Sequence, residues 1–194
     1  MRSRSGHAIQ TSTRWLLGEL AVIVLAMGAL GALSFPLFLP YRWHLLLHIT
    51  GGIMFLGNIV ITGVWMALAV RTQDWSTVRF AARIVNWMDV RFTVPGIFLI
   101  LWNGLTLVSR LGGVFGESWI VLGGILFSVS GVVYLAFTVP DQERLARLAS
   151  DAETSPWPDM RFMRVFRRWI VAGVVATVLP GLSYALMVLR PALW

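Results

Sequence analysis

His44 and His48 are the residues of this chain best suited to chemistry. They stand four apart, so on a helix they share one face. An imidazole nitrogen can hold haem iron, a chlorophyll-type ring, copper or zinc. Gly51 and Gly52 follow directly and would leave room beside a flat ring. Three readings of the pair stay open. The first is a structural role, as interface or interhelical hydrogen-bonding side chains. The second is axial ligation of a haem b or a chlorophyll-type pigment, with His48 as the ligand and His44 assisting. The third is half of a copper or zinc site, for which no further ligand stands nearby in the sequence. One helix cannot supply both axial ligands of a single haem, so a bis-histidine site would need a partner chain.

Three further polar residues fall inside apolar stretches: Glu19, Asn58 and Asn103. An intramembrane carboxylate is a functional candidate by default, although Arg14 is close enough along a helix to pair with Glu19. The two amides are expected to hydrogen-bond between helices, a structural role. Asp89 and Arg91 flank the entrance of a later span, just before Thr93-Val94-Pro95-Gly96, where the Pro-Gly pair implies a bend or a restart. No residue is assigned a catalytic role. There is no nucleophile elbow, phosphate loop, acidic relay or row of intramembrane charges. With no cysteine, disulfides, iron–sulfur clusters, thiolate zinc sites and covalent haem attachment are excluded. All sixteen basic residues are arginine, which excludes lysine Schiff-base chemistry.

The elements that must position these residues are membrane helices. Of 194 residues, 57% are hydrophobic and 13% charged, about half the charge of a soluble domain. Five apolar stretches are each long enough to cross a bilayer, and in lipid each must be a helix. They run roughly from Trp15 to Leu33, Leu45 to Val70, Phe92 to Val108, Trp119 to Val139, where Pro140 is expected to close the span, and Trp169 to Leu189. The fold class expected is therefore an all-α integral membrane protein, a single domain of five transmembrane helices: a four-helix bundle plus an extra N-terminal helix. That first stretch also has the outline of a signal peptide, and it is read as a retained helix. Trp15, Trp43, Trp87, Trp119 and Trp169 stand at the helix entrances and are read as interface anchors.

Arginines set the direction. Arg2, Arg4 and Arg14 precede the first span. Arg71, Arg79, Arg83 and Arg91 lie between the second and third. Arg144, Arg147, Arg161, Arg164, Arg167 and Arg168 lie between the fourth and fifth. The opposite side carries only Arg42, Arg110 and Arg190. The N-terminus is thus expected in the cytoplasm and the C-terminus in the periplasm. The net charge of +7 is explained by topology and anionic lipid, and no nucleic-acid partner is expected. Residues 76–88 and 141–149 mix apolar and basic residues, as amphipathic helices lying at the surface do, or as an inward extension of the third span would. Small residues recur on two spans, Gly173, Thr177 and Gly181 on one and Gly124, Ser128 and Gly131 on the other. Such faces pack helices closely.

Trp43 to Asn58, with its Leu47-His48 pair, resembles the opening of a bacterial family of predicted integral membrane proteins of unknown function (DUF2269-like). Phe80 to Gly96, with Ala81-Ala82-Arg83, Asp89, Thr93 and Pro95-Gly96, resembles that family's second landmark. Arg167-Arg168-Trp169 and Leu189-Arg190-Pro191 resemble its last span. The four-helix core is more distantly similar to CopD-type copper proteins and to J-type membrane protoporphyrinogen oxidases, which likewise open a helix with a leucine–histidine pair. The latter resemblance implies b-type haem and porphyrinogen oxidation, but this chain lacks the lysine-containing motifs of that group. The function expected is an accessory or assembly subunit of a larger bacterial inner-membrane energy-transducing complex, respiratory or photosynthetic, whose partners are lipids and other integral membrane subunits. The alternatives are a haem- or copper-binding redox protein using His48 and, more weakly, a small-solute channel or transporter.

Overall fold

The computed structural model describes residues 37–152 and 156–193. The described residues are helical, without strands, and four helices are long and apolar enough to cross a membrane. The expected span from Trp15 to Leu33, with Glu19, lies outside the described residues. The first helix, α1, spans Tyr41–Arg71. A turn through Gln73, whose φ is 58°, leads to α2, Trp75–Met88. Asp74 caps α2 by accepting from the backbone N–H of Ser76 and Thr77 at 3.2 and 2.9 Å. After the π-turn Asp89–Thr93 the same helix continues as α3, Val94–Val108.

A loop containing Gly112 and Gly113, both at positive φ, leads to α4, Ser118–Val133. The π-turn Tyr134–Thr138 then joins it to α5, Val139–Asp151. The last helix, α6, spans Met160–Leu189 and is capped by Asp159. Pro140 does not close the fourth span, contrary to the sequence reading. A proline ring inside a helix collides with the carbonyl four residues back. Here one extra residue widens the preceding turn, and the Val139 N–H bonds Tyr134 O, five residues behind it. The same device stands before Pro95, where the Val94 N–H bonds Asp89 O. Both long helices, Trp75–Val108 and Ser118–Asp151, are therefore continuous over 34 residues.

The helices pack in two antiparallel pairs, α1 with α3 and α4 with α6. Glycine sets the first pair's spacing: a Cβ on Gly51 would lie 2.7 Å from Gly96 O, and one on Gly96 would lie 3.0 Å from Gly51 O. In the second pair Ser183 Oγ donates to Gly123 O and Ser130 Oγ to Ala176 O, at 2.9 and 2.7 Å. At the arginine-rich end the pairs are locked by a core that the apolar spans alone did not reveal. Val78 and Val85 of α2, Leu145 and Ala149 of α5, and Phe162 of α6 are all buried there. The expected surface helices are thus packed against each other, the first as the inward extension of its span. At the other end the two pairs diverge. Helices α1 and α6 expose Ile53, Leu68 and Val171, which suits contact with lipid.

Candidate functional site

Where the pairs diverge, a cavity of about 470 Å³ opens between α1, α3, α4 and α6. Phe55 and Phe127, with ring centroids 5.6 Å apart, line it from opposite pairs. The other walls are mostly aliphatic, with His48, Tyr41, Ser183, Tyr184 and Arg190 among them. His48 Nδ1 lies 2.8 Å from the carbonyl oxygen of Ile100. A carbonyl can only accept, so Nδ1 carries the proton and Nε2 is left with its lone pair. This arrangement holds the tautomer and ring orientation that a metal-ligating histidine requires. Gly104 secures the ring's place, since a Cβ there would lie 3.0 Å from His48 Cε1. Gly52, also on the cavity wall, would meet nothing within 4 Å if it carried a Cβ.

His44 is differently employed. It is fully buried, its Nδ1 lies 2.8 Å from Asn103 Oδ1, and its Nε2 accepts from the Leu39 N–H at 3.3 Å. Both ring nitrogens are therefore occupied by protein. Asn103 completes the link by donating to Leu99 O at 2.9 Å. The two histidines share the α1 face toward α3, but only His48 keeps an open nitrogen. No group of three histidine, cysteine or acidic side chains able to hold a metal ion occurs among the described residues.

A second polar centre lies at the two π-turns. Asp89 is buried, and its four side-chain partners are all neutral. Oδ1 accepts from Asn58 Nδ2 at 2.8 Å and from Thr93 Oγ at 3.2 Å. Oδ2 accepts from Tyr134 OH at 3.0 Å and from Gln142 Nε2 at 2.9 Å. Gln142 also donates to Asn86 Oδ1 at 2.7 Å. Asn58 bonds Asp89 and Thr93 across helices, and Asn103 pairs with His44. The sequence reading placed Asp89 only as an entrance charge and passed over Tyr134 and Gln142. The available signal was a repeat: Phe92-Thr93-Val94-Pro95 recurs as Phe137-Thr138-Val139-Pro140.

The remaining candidates are dispersed. Gly124, Gly131, Gly173 and Gly181 would each meet no atom within 4 Å if given a Cβ, so the chain's own close contacts use Gly51, Gly96 and Gly123 instead. Ser128 and Thr177 spend their hydroxyls on the carbonyls of Gly124 and Gly173 within their own helices. Trp43 and Trp87 are exposed, whereas Trp119 and Trp169 are buried. Arg91 lies over the Trp87 ring and Arg190 over that of Trp119, at 4.3 and 5.5 Å from the centroids.

The chain matches the family model described as predicted integral membrane protein (DUF2269) over residues 43–191, which is more than half of its length. It belongs to that family. The match covers all the helices described above except the first two residues of α1. No curated protein and no solved structure matches the chain.

Proposed function

We propose that this family member is a membrane-embedded binding protein whose ligand is a flat, largely apolar molecule seated beside His48. The chemical class that suits the cavity is a b-type haem or a chlorophyll-type pigment. The carrying observation is the single open nitrogen: the Ile100 carbonyl fixes the Nδ1 proton and leaves Nε2 free on a histidine that lines an apolar cavity. Pockets of this size and lining, with a few placed polar groups, are the usual form of small-molecule sites. Arg190 offers a cation to an acidic substituent at the rim, and the aliphatic walls exclude water from the rest. The metal of such a ligand would supply any redox chemistry; the chain supplies one donor, orientation and a dry surround. Titration of the purified chain with haemin tests this. Saturable binding lost in His48→Ala, and kept in His44→Gln, supports the reading, and equal binding by His48→Ala overturns it.

A second reading, an accessory or assembly subunit of a larger energy-transducing complex, has its own support. The glycine faces of α4 and α6 are left uncovered by the chain itself, and such faces associate helices in lipid. The arginine asymmetry favours a bacterial inner membrane with the arginine-rich end in the cytoplasm. Gly131→Leu and Gly181→Leu, at positions that line neither the His48 cavity nor the cavity between α1 and α6, test the subunit role: partners that co-purify with the wild-type chain should be lost from both variants.

A further inference from the structure

The two long helices each carry a π-turn at one shared place. Each turn ends in Phe-Thr and is followed by Val-Pro, and the Tyr134–Asp89 bond holds the turns together. Three observations at this place bear on what it can hold. First, the Asp89 carboxylate is buried among neutral partners, and an uncompensated charge in apolar surroundings is costly. Second, two oxygens of neighbouring residues, Asn58 Oδ1 and Thr138 Oγ, are buried without any hydrogen-bond partner, although Asn58 and Thr138 are each only 5% exposed. Orphaned buried oxygens of this kind point to a missing ion or water. Third, Asp89, Tyr134, Thr138 and Gln142 all line one cavity of about 320 Å³ between α1 and α6.

The alternatives account for less. A proton on Asp89 would remove the charge and could be donated to at most one of the two oxygens. A water would satisfy the oxygens and leave the charge. A hard cation does both. With one carboxylate in the set, the charge matches a monovalent ion, whereas Ca²⁺ sites gather several acidic oxygens. We propose that Asp89, Asn58 and Thr138 form a site for one alkali cation, reached through the cavity between α1 and α6. The site is separate from the His48 cavity and stands whether or not a ligand binds there.

The test uses the full chain purified in detergent, with Na⁺ as the probe. Retention of ²²Na⁺ is measured, and thermal unfolding is compared in NaCl and choline chloride at equal ionic strength. The expected result is one retained ion per chain and a higher unfolding temperature in NaCl. Asp89→Asn should abolish both effects, and Thr138→Val should weaken retention about tenfold. Absence of retention with equal unfolding in both salts would overturn the proposal. So would unfolding that follows pH identically in the two salts and loses that dependence in Asp89→Asn, which would assign a proton to the carboxylate. If Asp89→Asn does not fold, Thr138→Val decides, because unchanged ²²Na⁺ affinity in that variant contradicts the site.

Discussion

The hydroxyl of Tyr134 donates to Asp89 Oδ2 over 3.0 Å, and this bond joins the two 34-residue helices where each carries a π-turn. Asn58 brings α1 to the same carboxylate and Gln142 brings α5. Trp169 of α6 reaches Gln142 Oε1 at 3.4 Å. One buried acid thereby ties together all four membrane-length helices.

Tyr134→Phe should therefore destabilise the bundle without changing its shape. A hydrogen bond to a charged group contributes about 1.5–3 kcal/mol, against about 1 for a neutral pair. Reversible unfolding in mixed micelles measures the difference. A loss in the upper range means that Asp89 is ionised in the folded chain.

Gly51→Ala should be severe and Gly173→Ala silent in the isolated chain. The first places a Cβ 2.7 Å from Gly96 O and 2.8 Å from the Ile100 nitrogen, both backbone atoms that cannot step aside. Forcing α1 from α3 by one methyl is expected to cost about 1–3 kcal/mol. The second meets nothing within 4 Å and should stay within about 0.5 kcal/mol of wild type. Thermal unfolding of both variants checks the contrast.

How much of this was legible beforehand follows from what hydropathy measures. The four described spans were found because each is an apolar run that must satisfy its own backbone in lipid. Their extensions at the arginine-rich end were read differently, since α2, α5 and the first turns of α6 carry arginines on one face and bury Val78, Leu145 and Phe162 on the other. Such faces are stabilised by each other, and nothing in one segment alone says which partner it will have. Pro140 misled because a proline after an apolar run usually ends it, and only the π-turn before it lets the helix continue. His48 was legible as a residue, but its separation from His44 was not, because that depends on Ile100 and Asn103 from a distant helix. Asp89 sat beside arginine and tryptophan and looked like an ordinary helix entrance. Its burial is a tertiary fact.

Arg168→Ala should loosen the joint between α5 and α6. The Asp141 side chain is 1% exposed and holds the Arg168 guanidinium through two hydrogen bonds, one of them from Nε at 2.6 Å. Arg168 is half exposed and Arg144 lies 3.5 Å from the same carboxylate. The expected loss is therefore about 1–2 kcal/mol, below that of a fully buried pair broken in half. Chemical unfolding of the variant beside wild type measures it.

The turn before α2 carries a pH dependence of defined sign. Hydrogen bonds from the Ser76 and Thr77 hydroxyls and backbone N–H groups hold the Asp74 carboxyl well below its ordinary value of 3.8. A group depressed in the folded state contributes stability above its unfolded value and loses it as pH falls through the folded one. Amide exchange at the start of α2, taken relative to the intrinsic rate at each pH, should thus be unchanged from pH 7 to about 5 and accelerate below about 4. In Asp74→Ala it should be faster at neutral pH and should lack that acid step.

The account's central claim is that His48 presents an open nitrogen to a bound ligand. The most direct measurement is an absorption spectrum, with metal analysis, of the chain gently extracted from its native membrane, wild type beside His48→Ala. The account predicts a stoichiometric chromophore that stays when co-purifying proteins are stripped away and is lost in His48→Ala. A colourless, metal-free wild-type chain that co-purifies stoichiometrically with a larger complex would contradict it, and would return His48 to a structural role beside His44.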